Sequence, residues 1–234
     1  MTGWHRECPG LDAARGDWVK EVKLDGIIML EKLRERLQAH APRRLALDLP
    51  QAAVLLPLVA HPEPTLLFTR RAAHLSTHSG QVAFPGGKRE DGDADLLATA
   101  LREAEEEIAL PPDRVEVLGR LSEVISLHGI RVTPFVGVIP PGLPLAPDPG
   151  ELDAIFEVPV ASFLADRRTH TDVIRLDGRD YYVPSYRHDD HVIWGLSSMM
   201  LVELLAEGFA MPIDLFQRPA GTLHFHPERR LTPS

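Results

Sequence analysis

Cysteine is almost absent from this sequence, and long apolar runs are absent altogether. The single cysteine, Cys8, excludes an internal disulfide and a cysteine-based metal cluster, because each of these needs at least two thiols. No stretch reaches the roughly 18 consecutive apolar residues of a membrane-spanning helix, and residues 1–8 lack the apolar core of a secretion signal. We therefore expect a soluble, cytoplasmic protein without a membrane partner.

Basic residues are also in short supply. Lys and Arg number 25 against 34 Asp and Glu, which gives a formal net charge of −9. Proteins that hold nucleic acid neutralise its phosphates with a broad basic surface, so we expect no nucleic acid partner. A small phosphate-bearing ligand remains compatible with this charge, because a divalent cation and a few arginines can reverse the potential inside one cleft.

The chain has 234 residues, 44% of them hydrophobic, which is enough for one domain with a substantial core. Residues 1–26 show no periodic pattern and are predicted to form an N-terminal extension, with the domain in residues 27–234. The proline-rich segment 139–150 is predicted to be an ordered surface loop near a site. Apolar patterning predicts an α/β fold with helices over 27–38, 96–110 and 196–207 and strands over 52–60, 65–71, 115–125, 131–139, 153–158, 173–176 and 181–183.

The segment 84–110 carries the strongest chemical pattern. Pro85, Gly86 and Gly87 follow a short strand and predict a tight turn at which the backbone can approach a ligand closely. Either Asp93 or Asp95 can cap the helix that follows. On that helix, spacings of three and four residues predict a buried stripe formed by Leu97, Leu101, Ala104 and Ile108.

Three glutamates of the same helix lie beside that stripe. Glu103, Glu106 and Glu107 occupy an arc of roughly 100°, so their carboxylates are expected near one another. Divalent cations such as magnesium take oxygen ligands and would offset the repulsion among these groups. Arg102 can pair with Glu106 one turn later. Taken alone, a glutamate-rich helix face is also compatible with plain solvated surface.

Together, the glycine turn, Arg102-Glu103 and Glu106-Glu107 followed by an apolar residue resemble the Nudix box. This resemblance implies a Nudix hydrolase, built as an α/β/α sandwich on a mixed β-sheet, that binds Mg²⁺ or Mn²⁺ through Glu103, Glu106 and Glu107. The box departs from the family pattern at Asp93, which replaces a glutamate and lies one residue further from Arg102 than usual. It departs again at Ala109, which replaces the final glycine and would cost about 1 kcal/mol in a left-handed conformation.

A second motif precedes the box. The sequence Thr69-Arg70-Arg71-Ala72, followed by Gly80 and by the run 84–87, resembles the additional signature of the coenzyme A pyrophosphatase branch. Ser76 stands where that branch has a basic residue. The resemblance extends over about residues 52–208. It implies metal-dependent hydrolysis of the diphosphate linkage of coenzyme A, or of its derivatives, to 3′,5′-ADP and 4′-phosphopantetheine.

The resemblance also implies roles for individual residues. Glu103 and Glu107 would be direct metal ligands, and Glu106 would be a third ligand or the general base. The remaining candidates, for contacts with the substrate phosphates, are Arg70, Arg71, Gly86, Gly87 and Lys88. The two arginines and Lys88 are also compatible with being solvated charges that contact no ligand.

Other interpretations stay open at this stage. The substrate could instead be ADP-ribose, NADH or another nucleoside diphosphate derivative, or the chain could be a non-catalytic nucleotide-binding module that retains the fold. His224 and His226 have the spacing of metal ligands on a strand, but the sequence offers no evident third ligand. We interpret these two histidines as structural or incidental.

Overall fold

A computed structural model describes residues 26–75, 79–176 and 178–227. Residues 1–25 of the predicted N-terminal extension, with Cys8, and Ser76 lie outside these residues, whereas Gly26 is the first residue of a helix. Within them, none of the helices combines the length and the apolarity that crossing a membrane requires.

Helices and strands alternate along the chain in an α/β order, as predicted. The helices are α1 (Gly26–Ala39), α2 (Leu96–Ile108), a 3-10 turn (Pro112–Arg114), α3 (Val160–Leu164), α4 (Gly195–Glu203) and a π-helical turn (Leu204–Gly208). The strands are β1 (Gln51–Val59), β2 (Thr65–Arg71), β3 (Val82–Ala83), β4 (Gly86–Lys88), β5 (Glu116–Arg120), β6 (Val124–Ile125), β7 (Arg131–Ile139), β8 (Leu152–Pro159), β9 (Arg168–Leu176), β10 (Arg179–His188), β11 (His191–Ile193) and β12 (Leu223–Phe225).

Strand β1 is the centre of a mixed sheet. Along one edge it pairs in parallel with β7 over its whole length, and its other edge is shared by two antiparallel neighbours. Strand β2 pairs with β1 at the end of β1, at Leu58 and Val59. Strand β4 pairs with the start of β1, over Ala52–Val54. Between these two pairings, the backbone N–H of Leu55 donates to the carbonyl of Pro85 at 2.9 Å. Strands β1 and β2 therefore diverge, and the glycine-containing segment fills the gap between them.

Side chains on the two faces of β1 enter two different hydrophobic cores. Ala53 and Leu55 pack in a core with residues of α2, whereas Leu56 and Leu58 lie in a second core with residues of α1 and α4. This alternation follows the two-residue period of a strand that is buried on both faces. The arrangement is an α/β/α sandwich on a mixed sheet, which confirms the predicted fold class.

A second, four-stranded sheet packs beside the helix α4. Its strand order is β11, β10, β9 and β12, and β12 lies parallel to β9. Tyr186 and Ile193 of this sheet belong to the same core as Met200 and Leu201 of α4. The second sheet and α4 together form a wall that faces the glycine-containing edge of the main sheet.

The structure corrects several predicted boundaries. The predicted strand 115–125 is interrupted between β5 and β6, because the backbone N–H of Ser122 donates to the Glu203 carboxylate at 2.8 Å instead of continuing the ladder. The predicted strands 173–176 and 181–183 are the ends of the longer β9 and β10. The predicted turn at Gly86 and Gly87 is wrong, since both residues belong to the strand β4.

The predicted buried stripe of α2 is also partly wrong. Leu97 and Leu101 are only partly buried, whereas Thr99 and Ala100 are fully buried, so the helix is rotated relative to the expected orientation. The rotation brings Glu107 into the interior, where it has a hydrogen-bonding partner on β4. Ala104 and Ile108 are buried as predicted.

Ala109 ends α2 in the left-handed conformation that favours glycine. Its φ is 53° and ψ 35°, and its N–H donates to the carbonyl of Glu105 at 2.9 Å. Its side chain is exposed, so little packing would be lost on its removal. We predict that Ala109→Gly raises the free energy of unfolding by about 0.5–1 kcal/mol, measured by urea denaturation.

Ala98→Gly, within the same helix, is the matched control. Its backbone is helical, so the substitution should lower the free energy of unfolding by about 1 kcal/mol. Equal destabilisation by the two glycines would contradict the strain assigned to Ala109.

Candidate active site

The first turn of α2 distinguishes the two aspartates that precede the helix. Asp95 is the N-cap, and its carboxylate accepts a hydrogen bond from the N–H of Ala98 at 2.8 Å. Asp93 is buried and accepts bonds from the Thr99 hydroxyl at 2.8 Å and from the backbone N–H of Glu90 at 2.9 Å. Asp95 is therefore the capping residue, and Asp93 fixes the loop against the helix.

Arg102 connects this loop to the glutamates. Its Nε and Nη2 donate to the two oxygens of Asp93 at 2.9 and 3.1 Å, and its Nη1 donates to Glu106 at 2.9 Å. Nη2 also donates to the carbonyl of Lys88 at 3.1 Å. Hydrogen bonding from Arg102 holds the pKa of Asp93 well below its usual range, so Asp93 is ionised at all ordinary pH values. The pairing of Arg102 with Glu106 is confirmed, but it is one part of a larger network.

Glu107 is the most buried of the three glutamates, with 5% of its surface exposed. Its Oε2 accepts a hydrogen bond from the backbone N–H of Gly86 at 3.0 Å. Burial is the main reason that its pKa is raised to about 7, and the nearby carboxylates of Glu151 and Glu103 add to the effect. This group is costly to ionise in the absence of a nearby cation.

Glu103 lies against the neighbouring glycine. A Cβ at Gly87 would come within 2.4 Å of the Glu103 carboxylate, so a larger residue there would displace the Glu103 side chain. Burial raises the pKa of Glu103 as well, although Arg102, 3.2 Å from its Oε1, acts in the opposite direction. Gly86 is constrained on its other side, since its φ is 151° and a Cβ there would meet the Ala53 carbonyl at 2.3 Å.

Glu106 differs from the other two glutamates. Its side chain is 60% exposed and is directed toward Arg102. In the part of the chain that the structure describes, the three glutamates do not bring three donor atoms within 4.8 Å of one another. Glu103 and Glu107 thus form a half-buried and a buried carboxylate beside β4, while Glu106 stands at the solvent-exposed side.

A fourth carboxylate, Glu151, was missed as a site residue by the sequence analysis. It lies close enough to Glu103 and Glu107 to raise the pKa of both. The loop before it is ordered against the end of α2, because the backbone N–H of Asp148 donates to the Glu107 carbonyl at 2.8 Å. After Ile139 the predicted loop segment forms neither helix nor strand, and hydrogen bonds attach it to the end of α2. Only the three-dimensional path of this loop brings Glu151 to the helix.

A cleft of about 380 Å³ adjoins the two glycines. Its walls come from the edge of the main sheet, the turn between β6 and β7, the second sheet and the start of α4. Of the predicted phosphate-binding residues, Arg71, Gly86, Gly87 and Lys88 line the cleft, and Arg70 does not. Neighbouring residues of a strand point to opposite faces, which explains why only one of the two arginines reaches the cleft.

Comparisons with known proteins agree with this geometry. The model of the NUDIX domain matches residues 49–176. The chain belongs to the Nudix family. A relative from Photorhabdus laumondii named "Uncharacterized Nudix hydrolase NudL" is 46% identical over 163 residues, covering 70% of this chain and 87% of the relative. The protein of the same name from Shigella sonnei is 45% identical over 179 residues, covering 76% of this chain and 93% of the relative.

A solved structure also resembles this chain. The crystal structure of a C. elegans Ap4A hydrolase binary complex has a TM-score of 0.41 and 17% sequence identity, covering 49% of this chain and 86% of that chain.

Nudix hydrolases act on nucleoside diphosphate derivatives and generally use divalent metal ions. The carboxylates of this Nudix domain fit such an ion. Glu103 and Glu107 are oxygen donors that burial and mutual repulsion make unfavourable as free anions, and a divalent cation between them and a phosphate would relieve both effects.

The raised pKa of Glu107 predicts a dependence of stability on pH in the metal-free protein. Because the folded state favours the protonated carboxyl, its stabilising effect is complete below pH 4.5 and is lost as the pH rises through about 7. Glu107→Gln, which stays neutral, should therefore raise the midpoint of thermal unfolding at pH 8 in chelator by roughly 2–8 °C.

The same comparison at pH 5 is the control, since the difference between Glu107→Gln and the unmodified protein should largely vanish there. Addition of a divalent cation at pH 8 should stabilise the unmodified protein more than the variant. Identical midpoints at pH 8 in chelator would show that ionised Glu107 carries no such penalty.

Proposed function

We propose that this Nudix domain hydrolyses the diphosphate linkage of coenzyme A, or of a close derivative, to 3′,5′-ADP and 4′-phosphopantetheine with Mg²⁺ or Mn²⁺. The observation that carries the proposal is the form of the cleft. It runs from Gly86 and Gly87, the glycines that contact Glu107 and Glu103, to a largely apolar wall. A diphosphate that bears a large, mostly uncharged arm matches both parts of this surface.

Each carboxylate would have the catalytic role that its surroundings favour. Glu103 and Glu107, placed by Gly87 and Gly86, would hold the cation, which would offset charge on the diphosphate and increase the acidity of water. Glu106 is exposed and oriented by Arg102, so it can serve as the third ligand or accept a proton from the attacking water. Glu151 lies close enough to add a further carboxylate to either task.

Arg71 is the arginine best placed for the substrate phosphates. It lines the cleft and lies close enough to Glu107 to lower the pKa of that carboxyl. Its Nε is buried and has no hydrogen-bonding partner among residues 26–75, 79–176 and 178–227. A buried donor without an acceptor is costly, and a phosphate oxygen would satisfy it with a charge-assisted bond.

The apolar wall is the part of the cleft that would select the substrate. Ile174, Leu176 and Tyr181 of the second sheet face Trp194 and Met199 at the start of α4. These side chains offer aliphatic surface for an extended arm and flat rings for a base. Arg71, Phe84, Gly86 and Gly87 of the signature line the cleft, so the resemblance to the coenzyme A pyrophosphatase branch includes residues that border it.

Product analysis tests the proposal directly. The purified protein is incubated with coenzyme A, ADP-ribose or NADH, each with magnesium, manganese or chelator, and the products are separated by chromatography. We expect 3′,5′-ADP from coenzyme A, formed faster than products from the other two and abolished by chelator. Glu107→Gln, as the control, should lower turnover by at least about 100-fold.

Each alternative outcome has a defined meaning. Preference for ADP-ribose or NADH would retain the Nudix chemistry and reject the coenzyme A substrate. Absence of cleavage of all three, in a protein that still binds a nucleotide tightly, would favour a non-catalytic module.

The two adjacent arginines provide a matched test of phosphate binding. Arg71→Ala should raise the KM for the preferred substrate by about 10-fold or more, because it removes a charged donor from the cleft. Arg70→Ala removes the same charge from the other face of β2 and should change the KM by less than about threefold. Steady-state kinetics of both variants, with circular dichroism to verify folding, make the comparison. Equal effects would reject the special role of Arg71.

A further inference from the structure

A cluster of histidines around one buried aspartate lies on the second sheet, outside the set of glutamates on α2. Asp172 is 3% exposed and pairs in register with His224 across the parallel strands β9 and β12. His170 lies two residues before Asp172 on β9, and His226 lies two residues after His224. The two-residue period of strands therefore directs all four side chains to the same face of the sheet.

Donor atoms of this cluster converge. One ligand atom from each of His170, Asp172 and His224 lies within 4.8 Å of the others, and these are the only three side chains so grouped in the described part of the chain. The imidazole rings of His170 and His224 are stacked with centroids 3.9 Å apart. Nε2 of His170 is 3.5 Å from the Asp172 carboxylate. Two imidazoles and a carboxylate are a donor set that binds divalent transition metals, and the three donor atoms lie within reach of one another.

The remaining contacts orient the aspartate. Its Oδ1 lies 2.6 Å from Nε2 of His226, and its Oδ2 accepts a hydrogen bond from the buried hydroxyl of Ser185. Partners of this kind commonly fix the direction of a metal-binding carboxylate.

Strand β12 is a short strand at the edge of the second sheet. It is three residues long, Leu223 is only partly buried, and Phe225 is 70% exposed. It is attached by its ladder with β9 and by the pairing of His226 with Asp172. His226 also stacks on Trp194, with centroids 5.6 Å apart, and both residues line the cleft. A metal ion bound by residues of both β9 and β12 would therefore fix the position of one wall of the cleft.

We propose that His170, Asp172 and His224 form a second metal site, which binds a first-row transition metal of the zinc type and ties β12 to β9. Imidazole nitrogens favour such ions, whereas magnesium prefers the all-oxygen surroundings that the glutamates of α2 offer. His224 is exposed, which leaves space for water as a further ligand. The site goes beyond the proposed hydrolysis and is independent of the identity of the substrate.

Zinc binding to the full chain, stripped of metal with chelator and then dialysed, tests the site. Isothermal titration with Zn²⁺ should show one equivalent bound at the cluster, and Zn²⁺ should raise the midpoint of thermal unfolding. His170→Ala and His224→Ala should each weaken this binding by about 100-fold or more. His188→Ala is the matched control, because His188 also lies near an aspartate, 3.9 Å from Asp189, but belongs to no such cluster.

Two further measurements keep the result unambiguous. Substituting Co²⁺ for Zn²⁺ should produce visible absorption bands in the unmodified protein that are lost in His224→Ala. This variant changes an exposed side chain, so it should remain folded even if His170→Ala does not. Zinc bound instead at the glutamates would be lost in Glu103→Gln/Glu107→Gln and retained in both histidine variants.

That last pattern would overturn the proposal. So would zinc affinity that is unchanged in His224→Ala, or the absence of zinc binding by the unmodified protein. Failure to hydrolyse coenzyme A would leave the zinc result unaffected, which separates this inference from the proposed function.

Discussion

The burial of the Glu107 carboxylate is the constraint on which the rest of the site depends. A buried carboxylate needs hydrogen-bond donors, and the donor here is the backbone N–H of Gly86. That N–H is available because β1 and β2 diverge and leave the first half of β1 to pair with β4. The close approach excludes a side chain at Gly86, since a Cβ there would meet the Ala53 carbonyl of β1 at 2.3 Å, and a Cβ at Gly87 would displace the Glu103 carboxylate. Helix, glycines and diverging strands are therefore parts of one arrangement.

Asp93, which stands where the Nudix family has a glutamate, belongs to the same arrangement. Arg102 needs a buried anionic partner if it is to hold Glu106 from one side and the Lys88 carbonyl from the other. Asp93 supplies both carboxylate oxygens to it and is in turn held by Thr99 and the N–H of Glu90. The loop before α2 therefore supplies, through Asp93, the carboxylate that fixes the position of Arg102. Ala109, in contrast, stands where the family has a glycine, and its backbone still adopts the left-handed conformation that glycine favours.

Sequence periodicity predicted those parts of the site that lie on one element. The glutamates of α2 and the pairing of Arg102 with Glu106 follow from local spacing, whereas the fold class came from the resemblance to the Nudix family. The orientation of α2 did not, because the burial of Glu107 in place of Leu97 depends on a hydrogen bond from β4, far away in the chain. Glu151 and the Asp172 partner of His224 were missed for the same reason, since a loop path and a parallel pairing bring them into place. Arg70 and Arg71 could have been separated by the two-residue period, but only the position of the cleft shows which one faces it.

The structure contains two groups of possible metal donors, and their chemistry would separate the cations that they bind. The carboxylates beside Gly86 and Gly87 are hard oxygen donors with raised pKa values, whereas the cluster at Asp172 offers imidazole nitrogens around a single carboxylate. A strong chelator removes ions from both, so loss of activity in chelator cannot by itself be assigned to the glutamates. Activity restored by magnesium alone would isolate the glutamate site. A further rise in the midpoint of thermal unfolding on addition of trace zinc would then indicate zinc binding at β9 and β12, beside Trp194. Among the described residues, these strands hold the only cluster of imidazole donors.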